Sequence, residues 1–202
     1  MQVVYDAPTA GGQIMTTINY PNGDQYIGEI FNGKYIGVGT LLFANGDKYE
    51  GEFKDNRYDG VGVLIYASGD RYEGQFESGH YHGRGTYFYA NGDKYTGSYE
   101  KDHQHGRGMF NFANGDVYIG DFTDDKIQGE GTLTFATGSK YKGQFEDGQP
   151  HGKGIYLHSN GDRYTGDFVA GEKSGQGTES YADGRPTKKG EWVNGRFNAR
   201  KG

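Results

Sequence analysis

The feature that most constrains this chain is an exact internal repeat of 23 residues. A glycine that follows Tyr-x recurs at this spacing seven times, at Gly28, Gly51, Gly74, Gly97, Gly120, Gly143 and Gly166. A second pattern, Gly-x-Gly, also recurs seven times, from Gly37/Gly39 to Gly175/Gly177. Exact periodicity in this range indicates a repeat architecture, in which each unit buries its apolar face against its neighbours.

Within one unit, the side chains alternate with a period of two, which predicts strands. Tyr49, Gly51 and Phe53 fall on one face, and the charged residues between them fall on the other. The Asn45–Asp47 stretch, Asn-Gly-Asp, recurs with small variations and predicts a tight turn between units, because glycine tolerates positive φ and Asn and Asp bond the local backbone. The chain is therefore predicted to be all-β, an antiparallel meander of consecutive hairpins.

Glycine and the aromatic residues are predicted to pack against each other on the inward face. The chain has 38 glycines, but its 18 Tyr and 12 Phe supply the large apolar surfaces that disordered glycine-rich segments lack. The glycines are expected to leave room for aromatic side chains of the paired strand. We call these side chains the groove aromatics: Tyr26, Tyr49, Phe53, Tyr72, Phe76, Tyr95, Tyr99, Tyr118, Phe122, Tyr141, Phe145, Tyr164 and Phe168.

The unit, Tyr-x-Gly-x-Phe followed by Gly-x-Gly, resembles the MORN (membrane occupation and recognition nexus) repeat from about Thr16 to Phe197. The resemblance implies an elongated, twisted, single-layer ribbon whose aromatics line a curved groove. It also implies a non-catalytic scaffold or adaptor that binds protein partners at a cytoskeletal structure, including the cilium, or at a membrane-associated one. We therefore predict three regions in the chain. They are an N-terminal segment 1–13 that is a candidate edge cap, a repeat array 14–197 with seven full units and degenerate terminal half-units, and a basic tail 198–202.

Composition excludes several classes of function. The chain has no cysteine, no signal-like start and no apolar run long enough to span a membrane, so we expect a cytoplasmic protein. Its net charge of -6 disfavours nucleic acid as a partner. No catalytic constellation stands out and the Gly-x-Gly pairs lack a following helix, so neither an enzyme nor a cofactor is predicted.

Histidines in equivalent loops are the best candidates for metal ligands: His80, His82, His103 and His105. Adjacent hairpins lie about 10 Å apart, too far for His82 and His105 to share an ion, so no metal site is predicted.

Two other surfaces are candidate sites. The first, the outer patch, faces away from the groove and fits a protein partner or a second copy of the chain: Ile27, Leu42, Val61, Val63, Ile65 and Phe88. The alternative is a basic stripe that would contact acidic phospholipids or phosphoinositides at a membrane surface: Lys48, Arg71, Lys94, Arg84 and Arg107. Carboxylates such as Asp47, Glu52 and Asp121 interleave with this stripe. The sequence does not rank the outer patch against the groove.

Overall fold

The computed structural model describes the backbone of residues 2–5 and 15–199 and the side chains of residues 15–199. All eighteen elements in this part of the chain are β-strands, paired antiparallel. The predicted all-β meander of consecutive hairpins is therefore confirmed. The chain divides into two compact units, Met1–His103 and Gln104–Gly202.

In the first unit, each strand pairs with the next one along the chain. Its strands are β1 (Gln2–Tyr5), β2 (Thr16–Asn19), β3 (Gln25–Phe31), β4 (Lys34–Leu42), β5 (Lys48–Lys54), β6 (Arg57–Ile65), β7 (Arg71–Glu77), β8 (His80–Phe88) and β9 (Lys94–Glu100).

The second unit follows the same pairing rule. Its strands are β10 (His103–Asn111), β11 (Val117–Thr123), β12 (Lys126–Thr134), β13 (Lys140–Glu146), β14 (Gln149–Leu157), β15 (Arg163–Val169), β16 (Glu172–Ser180), β17 (Lys188–Val193) and β18 (Arg196–Phe197).

We call the recurring glycines of the Tyr-x-Gly and Gly-x-Gly patterns the glycine columns. They exist because a tyrosine ring lies flat on the backbone. Gly51 and Gly62 face each other across β5 and β6, and a Cβ built on Gly62 would lie 2.5 Å from the Tyr49 hydroxyl oxygen. For Gly62 the ring comes from the paired strand, as predicted, whereas for Gly51, which a Cβ would bring within 2.6 Å of the same hydroxyl, it comes from the glycine's own strand. Its hydroxyl donates to the Glu52 carbonyl (2.8 Å), beside the register shift between Gly51 and Phe53. The buried hydroxyl and the backbone carbonyl at the β-bulge therefore satisfy each other's need for a hydrogen-bond partner.

The predicted tight turn forms at the Asn-Gly-Asp stretch, where the Gly46 amide donates to the Phe43 carbonyl (2.9 Å), and a tighter two-residue turn lies inside each hairpin. Asp55 and Asn56 have φ values of 50° and 67°, as the two central residues of a type I′ turn require. The Asn-Gly-Asp connection is longer, because the Phe43 amide donates to the Asp47 carbonyl (2.9 Å). Asn56 stands where the equivalent hairpins have Gly33 and Gly79, and asparagine tolerates this left-handed conformation.

Side chains at both edges of the sheet link one hairpin to the next. Asp47 Oδ1 accepts a hydrogen bond from the Ala67 amide of the following turn (2.8 Å). At the opposite edge, Asn56 Oδ1 accepts from the Tyr35 amide of the preceding hairpin (2.7 Å). Each hairpin is thus completed by a neighbour on either side, as expected for a repeat architecture.

Replacement of Ala170 by asparagine is expected to stabilise the second unit. Ala170 occupies the first central position of a type I′ turn with φ +47°, a region that costs an ordinary residue about 1 kcal/mol and that asparagine tolerates. We expect the free energy of unfolding to rise by about 0.5–1 kcal/mol, measured by urea denaturation. Asp124→Asn is the control, because Asp124 has the same φ of 47° and aspartate already tolerates it. An equal gain in both variants would contradict the strain argument.

At the start of the chain, β1 pairs with β2 in the register Gln2↔Asn19 to Tyr5↔Thr16. The remainder of the 1–13 segment, and residues 200–202 of the basic tail, lie outside the described residues. Across 2–5 and 15–199, no helix has the length and apolar character needed to cross a bilayer.

Candidate protein-binding surfaces

The groove aromatics form the core of each unit and not its surface. The seven tyrosines of the set that precede the Tyr-x-Gly glycines are 0% exposed, and Phe53 and Phe76 are 4% exposed. Tyr49 meets Phe53 and Phe76 edge-on, with ring centroids 5.0 and 5.2 Å apart. Burial raises the pKa of the Tyr49 hydroxyl well above its usual value. A ligand in the groove would therefore meet other side chains.

A second aromatic set, which the sequence analysis missed, lines the accessible face of the first unit. We call it the groove wall: Tyr20, Tyr35, Phe43, Tyr58, Tyr66, Tyr87 and Tyr89, all half-buried. Tyr35 stacks on the buried Tyr26 with ring centroids 3.7 Å apart, and the Tyr66 and Tyr81 hydroxyls are hydrogen-bonded. The signal was available, because Tyr35 and Tyr58, like Tyr20, Phe43, Tyr66 and Tyr89, also recur every 23 residues.

The groove wall continues into a cavity of about 670 Å³ in the first unit. Its apolar lining comes from Ile18, Tyr20, Ile30, Tyr35 and Leu41, and Asn22, Asp24 and Asn56 contribute polar groups. The second unit has a smaller cavity, about 440 Å³, lined by Phe110, Phe112, Phe122 and Ile127 among others. Cavities of this size with a few polar groups are typical of ligand-binding sites.

On the opposite face of the first unit, the outer patch and the first-unit residues of the basic stripe lie on one surface. Opposed residues in the antiparallel register form a continuous row across β4–β9, namely Leu42, Lys48, Ile65, Arg71, Phe88 and Lys94. Ile27 and Val63 lie in the neighbouring row. Val61 is 59% exposed and Ile65 is 39% exposed, whereas the other four residues of the outer patch are half-buried. Apolar and cationic side chains therefore alternate along this row.

Most cations of the basic stripe are neutralised within the chain. Lys48 pairs with Glu50 (2.7 Å) and Arg71 with Glu73 (2.9 Å), in each case two residues further along the same strand. Arg107 lies in the second unit and pairs with Asp121 (3.1 Å). Arg71 also lies over the Phe88 ring, 4.3 Å from its centroid. Ion pairing of this kind reduces the attraction of a surface for anionic lipid.

The carboxylates that seemed to interleave with the stripe have structural roles. Glu52 Oε1 accepts a hydrogen bond from the Val61 amide (2.9 Å), and Asp121 Oδ2 accepts one from the Glu130 amide (3.0 Å). Asp47 binds the amide of the next turn, as described above. These acids therefore satisfy backbone groups that the bulge and the turns leave unpaired.

The histidines do not come together as metal ligands. His80 Nδ1 lies 2.6 Å from Asp102 Oδ2, and His82 Nε2 lies 3.4 Å from Glu77 Oε2. Among the described residues, no three His, Cys, Asp or Glu side chains are grouped so that they could hold an ion.

Comparison with known structures finds two domains with a similar chain course. The TCP10 domain of Danio rerio CPAP is 13% identical, with 92% of this chain and 87% of that chain covered and a TM-score of 0.51. The TCP domain of Drosophila melanogaster SAS-4, solved in complex with a proline-rich motif of Ana2, is 18% identical, with 80% and 86% covered and a TM-score of 0.49. At these identities the likeness concerns the fold alone. A comparison with curated proteins finds no match.

The model of the MORN repeat matches the chain eight times in succession, at 26–48, 49–71, 72–94, 95–117, 118–140, 141–163, 164–184 and 189–198. The 23-residue period, the Tyr-x-Gly strands and the Gly-x-Gly strands are what the full-length matches have in common. The chain belongs to the MORN-repeat family.

Proposed function

We propose that the chain is a non-catalytic scaffold that binds an extended segment of a partner protein along the groove wall of the first unit. The observation that carries this proposal is the row of half-buried aromatic side chains leading into the cavity of about 670 Å³. Aromatic side chains supply large contact areas and are enriched where protein partners bind. Family membership supports the scaffold role and suggests a cytoskeletal structure such as a cilium, or a membrane-associated structure, as its location.

The spacing of the groove wall favours a partner segment in the polyproline II conformation. Consecutive hairpins are separated by two strand spacings, about 9.6 Å. A polyproline II helix advances about 9.3 Å per turn of three residues. Every third residue of such a segment would therefore meet an equivalent aromatic on the next hairpin, for example Phe43 and then Tyr66. Proline-rich segments commonly dock on aromatic grooves in this way.

The rim of the groove favours basic residues at the ends of that segment. The turns of the first unit place Asp24, Asp47 and Asp70 just after Tyr20, Phe43 and Tyr66, and Asp24 also lines the cavity. These carboxylates accept hydrogen bonds from the amides of the following turns. A cation arriving at this rim would gain Coulomb energy that falls with added salt.

The double substitution Phe43→Ser with Tyr66→Ser tests whether the groove wall binds such a segment. We expect a fluorescein-labelled nonaproline peptide with arginines at both ends to bind the full chain, and the double variant to bind it at least about fivefold more weakly. Each lost aromatic contact should cost about 0.5–1.5 kcal/mol, and 1.4 kcal/mol corresponds to a factor of ten. Fluorescence anisotropy measures both affinities.

Phe31→Ser is the matched control, because Phe31 is 64% exposed and lies outside the groove wall. It should leave the affinity unchanged. Absence of binding by the wild-type chain, or an equal loss of affinity in the control and the double variant, would refute the proposal that the groove wall binds the partner segment. A peptide of the same charge with glycine in place of proline tests whether the polyproline II conformation matters.

Acidic phospholipid remains the second candidate ligand, through the basic stripe. It is weaker because Lys48 and Arg71 are ion-paired and the chain carries a net charge of -6. Vesicles containing phosphatidylserine test it in the experiment described below.

A further inference from the structure

Strand β9 departs from the charge pattern that the two preceding equivalent strands, β5 and β7, share. In β5 and β7, the cation after the turn is followed two residues later by an acid, Glu50 or Glu73, with which it pairs. In β9, the cation Lys94 is followed by Thr96. Two residues further on, Ser98 stands where β5 has Glu52 and β7 has Gln75. Strand β9 is therefore neutral at both positions, whereas β5 and β7 each carry at least one acid there.

The substitution at Ser98 leaves a facing arginine without its usual partner. Arg84 lies opposite Ser98 in the β8–β9 register. At the equivalent positions of the second unit, Arg107 pairs with Asp121 (3.1 Å) and Lys153 with Asp167 (2.5 Å). Within the described residues, the Arg84 side chain has no carboxylate within ion-pair distance, and neither has that of Lys94. The nearest aromatic approach of Lys94 is to the Phe88 ring, at 5.8 Å.

Arg84 and Lys94 lie on the same face as a pair of threonine hydroxyls and a phenylalanine ring. We call the surface the β8–β9 patch: Arg84, Thr86, Phe88, Lys94, Thr96 and Ser98. The Thr86 and Thr96 hydroxyl oxygens are 3.2 Å apart at its centre. Arg84 and Phe88 are four residues apart along β8, which places their Cα atoms about 13 Å from each other. An extended acidic segment could reach both ends of the patch.

We propose that the β8–β9 patch binds an acidic segment of a protein partner. Carboxylates of that segment pair with Arg84 and Lys94, and an aromatic or aliphatic side chain beside them packs against Phe88 together with Arg71, whose guanidinium lies 4.3 Å from the Phe88 ring centroid. Charge complementarity carries the assignment, because two unpaired cations stand on a strand pair from which the repeat's own acids are missing. The proposal concerns the face opposite the groove wall and a ligand of opposite charge, so it stands independently of the proposed function.

A protein segment fits this patch better than a membrane surface. Recognition of anionic lipid by a protein surface usually takes four to eight clustered Lys or Arg residues. Here there are two unpaired cations, and the neighbouring strand β7 presents Glu73 and Glu77. A flat anionic membrane would have to approach those carboxylates, whereas a narrow peptide need not.

Restoring the repeat's own acids provides the sharpest test. Thr96→Glu with Ser98→Asp should supply partners to Lys94 and Arg84 from within the chain, as Glu73 does for Arg71 and Asp121 for Arg107. The probe is a labelled peptide with a central tryptophan flanked by glutamates. We expect the full chain to bind it in a salt-sensitive manner and the double variant to bind it at least tenfold more weakly, without loss of thermal stability.

The matched control is Gln144→Asp with Thr165→Glu, which adds the same two charges at the equivalent repeat positions of the second unit. It should retain the affinity of the wild-type chain. Arg84→Gln with Lys94→Gln removes the cations directly and should also abolish binding, which keeps the test informative if the acidic variant folds poorly. No binding of the peptide, an equal loss in the control, or binding of phosphatidylserine vesicles in place of the peptide would overturn the proposal.

Discussion

Replacement of Gly74 by alanine is expected to lower the free energy of unfolding of the first unit by about 3 kcal/mol. A Cβ at this position would lie 2.6 Å from the Gly85 Cα and 2.7 Å from the Arg84 carbonyl oxygen. It would also lie 2.6 Å from the Tyr72 hydroxyl oxygen. Two of these atoms are backbone of the facing strand, so relief requires β7 and β8 to separate or the Tyr72 ring to leave its place.

Gly79→Ala, in the same hairpin, is the control for this effect. Gly79 has φ +95°, and a Cβ at this position would have no atom within 4 Å, so its replacement meets only backbone strain. We expect a cost of about 1–2 kcal/mol. Urea denaturation compares the two variants with the wild-type chain. Similar losses at both positions would mean that backbone conformation, and not the close approach of ring and strand, explains the glycine columns.

Alkaline pH is expected to unfold the chain cooperatively. Burial raises the pKa of Tyr58 and of Tyr164 to about 12, and it raises the pKa of Tyr26, Tyr49, Tyr72, Tyr118 and Tyr141 as well. Above the ordinary value near 10, the unfolded chain releases phenolic protons that the folded chain retains. The contribution of these groups to stability is therefore complete below pH 10 and is lost as the pH rises towards 12.

The measurement follows phenolate absorbance and far-ultraviolet circular dichroism across the same titration. Buried tyrosines should ionise together with the loss of β-structure, and the urea midpoint should fall steeply between pH 10 and 12. A refolding titration back to pH 8 separates reversible ionisation from chemical damage. Smooth ionisation near pH 10 with an unchanged circular dichroism spectrum would show that the buried tyrosines are accessible in solution.

The sequence predicted the all-β meander because its signals are local and repeated. Alternation in Tyr49–Phe53 and the positions of Gly51 and Gly62 can be identified without knowledge of any long-range contact. What it could not supply is the cross-strand register, which depends on the bulge between Gly51 and Phe53. Register determines that Phe88 lies between Arg71 and Lys94, so the outer patch and the basic stripe appeared as separate surfaces.

The side chains available in the groove were misjudged for a related reason. Tyr49 and Tyr58 are both aromatic and both recur, but only Tyr49 lies beneath a stacked partner, 3.7 Å away, and is fully buried. Which ring covers which depends on how adjacent strands overlap. Glu52 was likewise interpreted as surface charge, because a hydrogen bond to an amide nine residues away cannot be identified before the hairpin is known.

The links at the two sheet edges have a consequence for how unfolding spreads. Loss of a hairpin removes the Asp47-type acceptor from the following turn and the Asn56-type acceptor from the preceding strand. An interior hairpin therefore loosens both neighbours when it opens, whereas a terminal one loosens a single neighbour. Within each unit, fraying should begin at an end and advance one hairpin at a time, and the interior repeats should exchange their amide protons last.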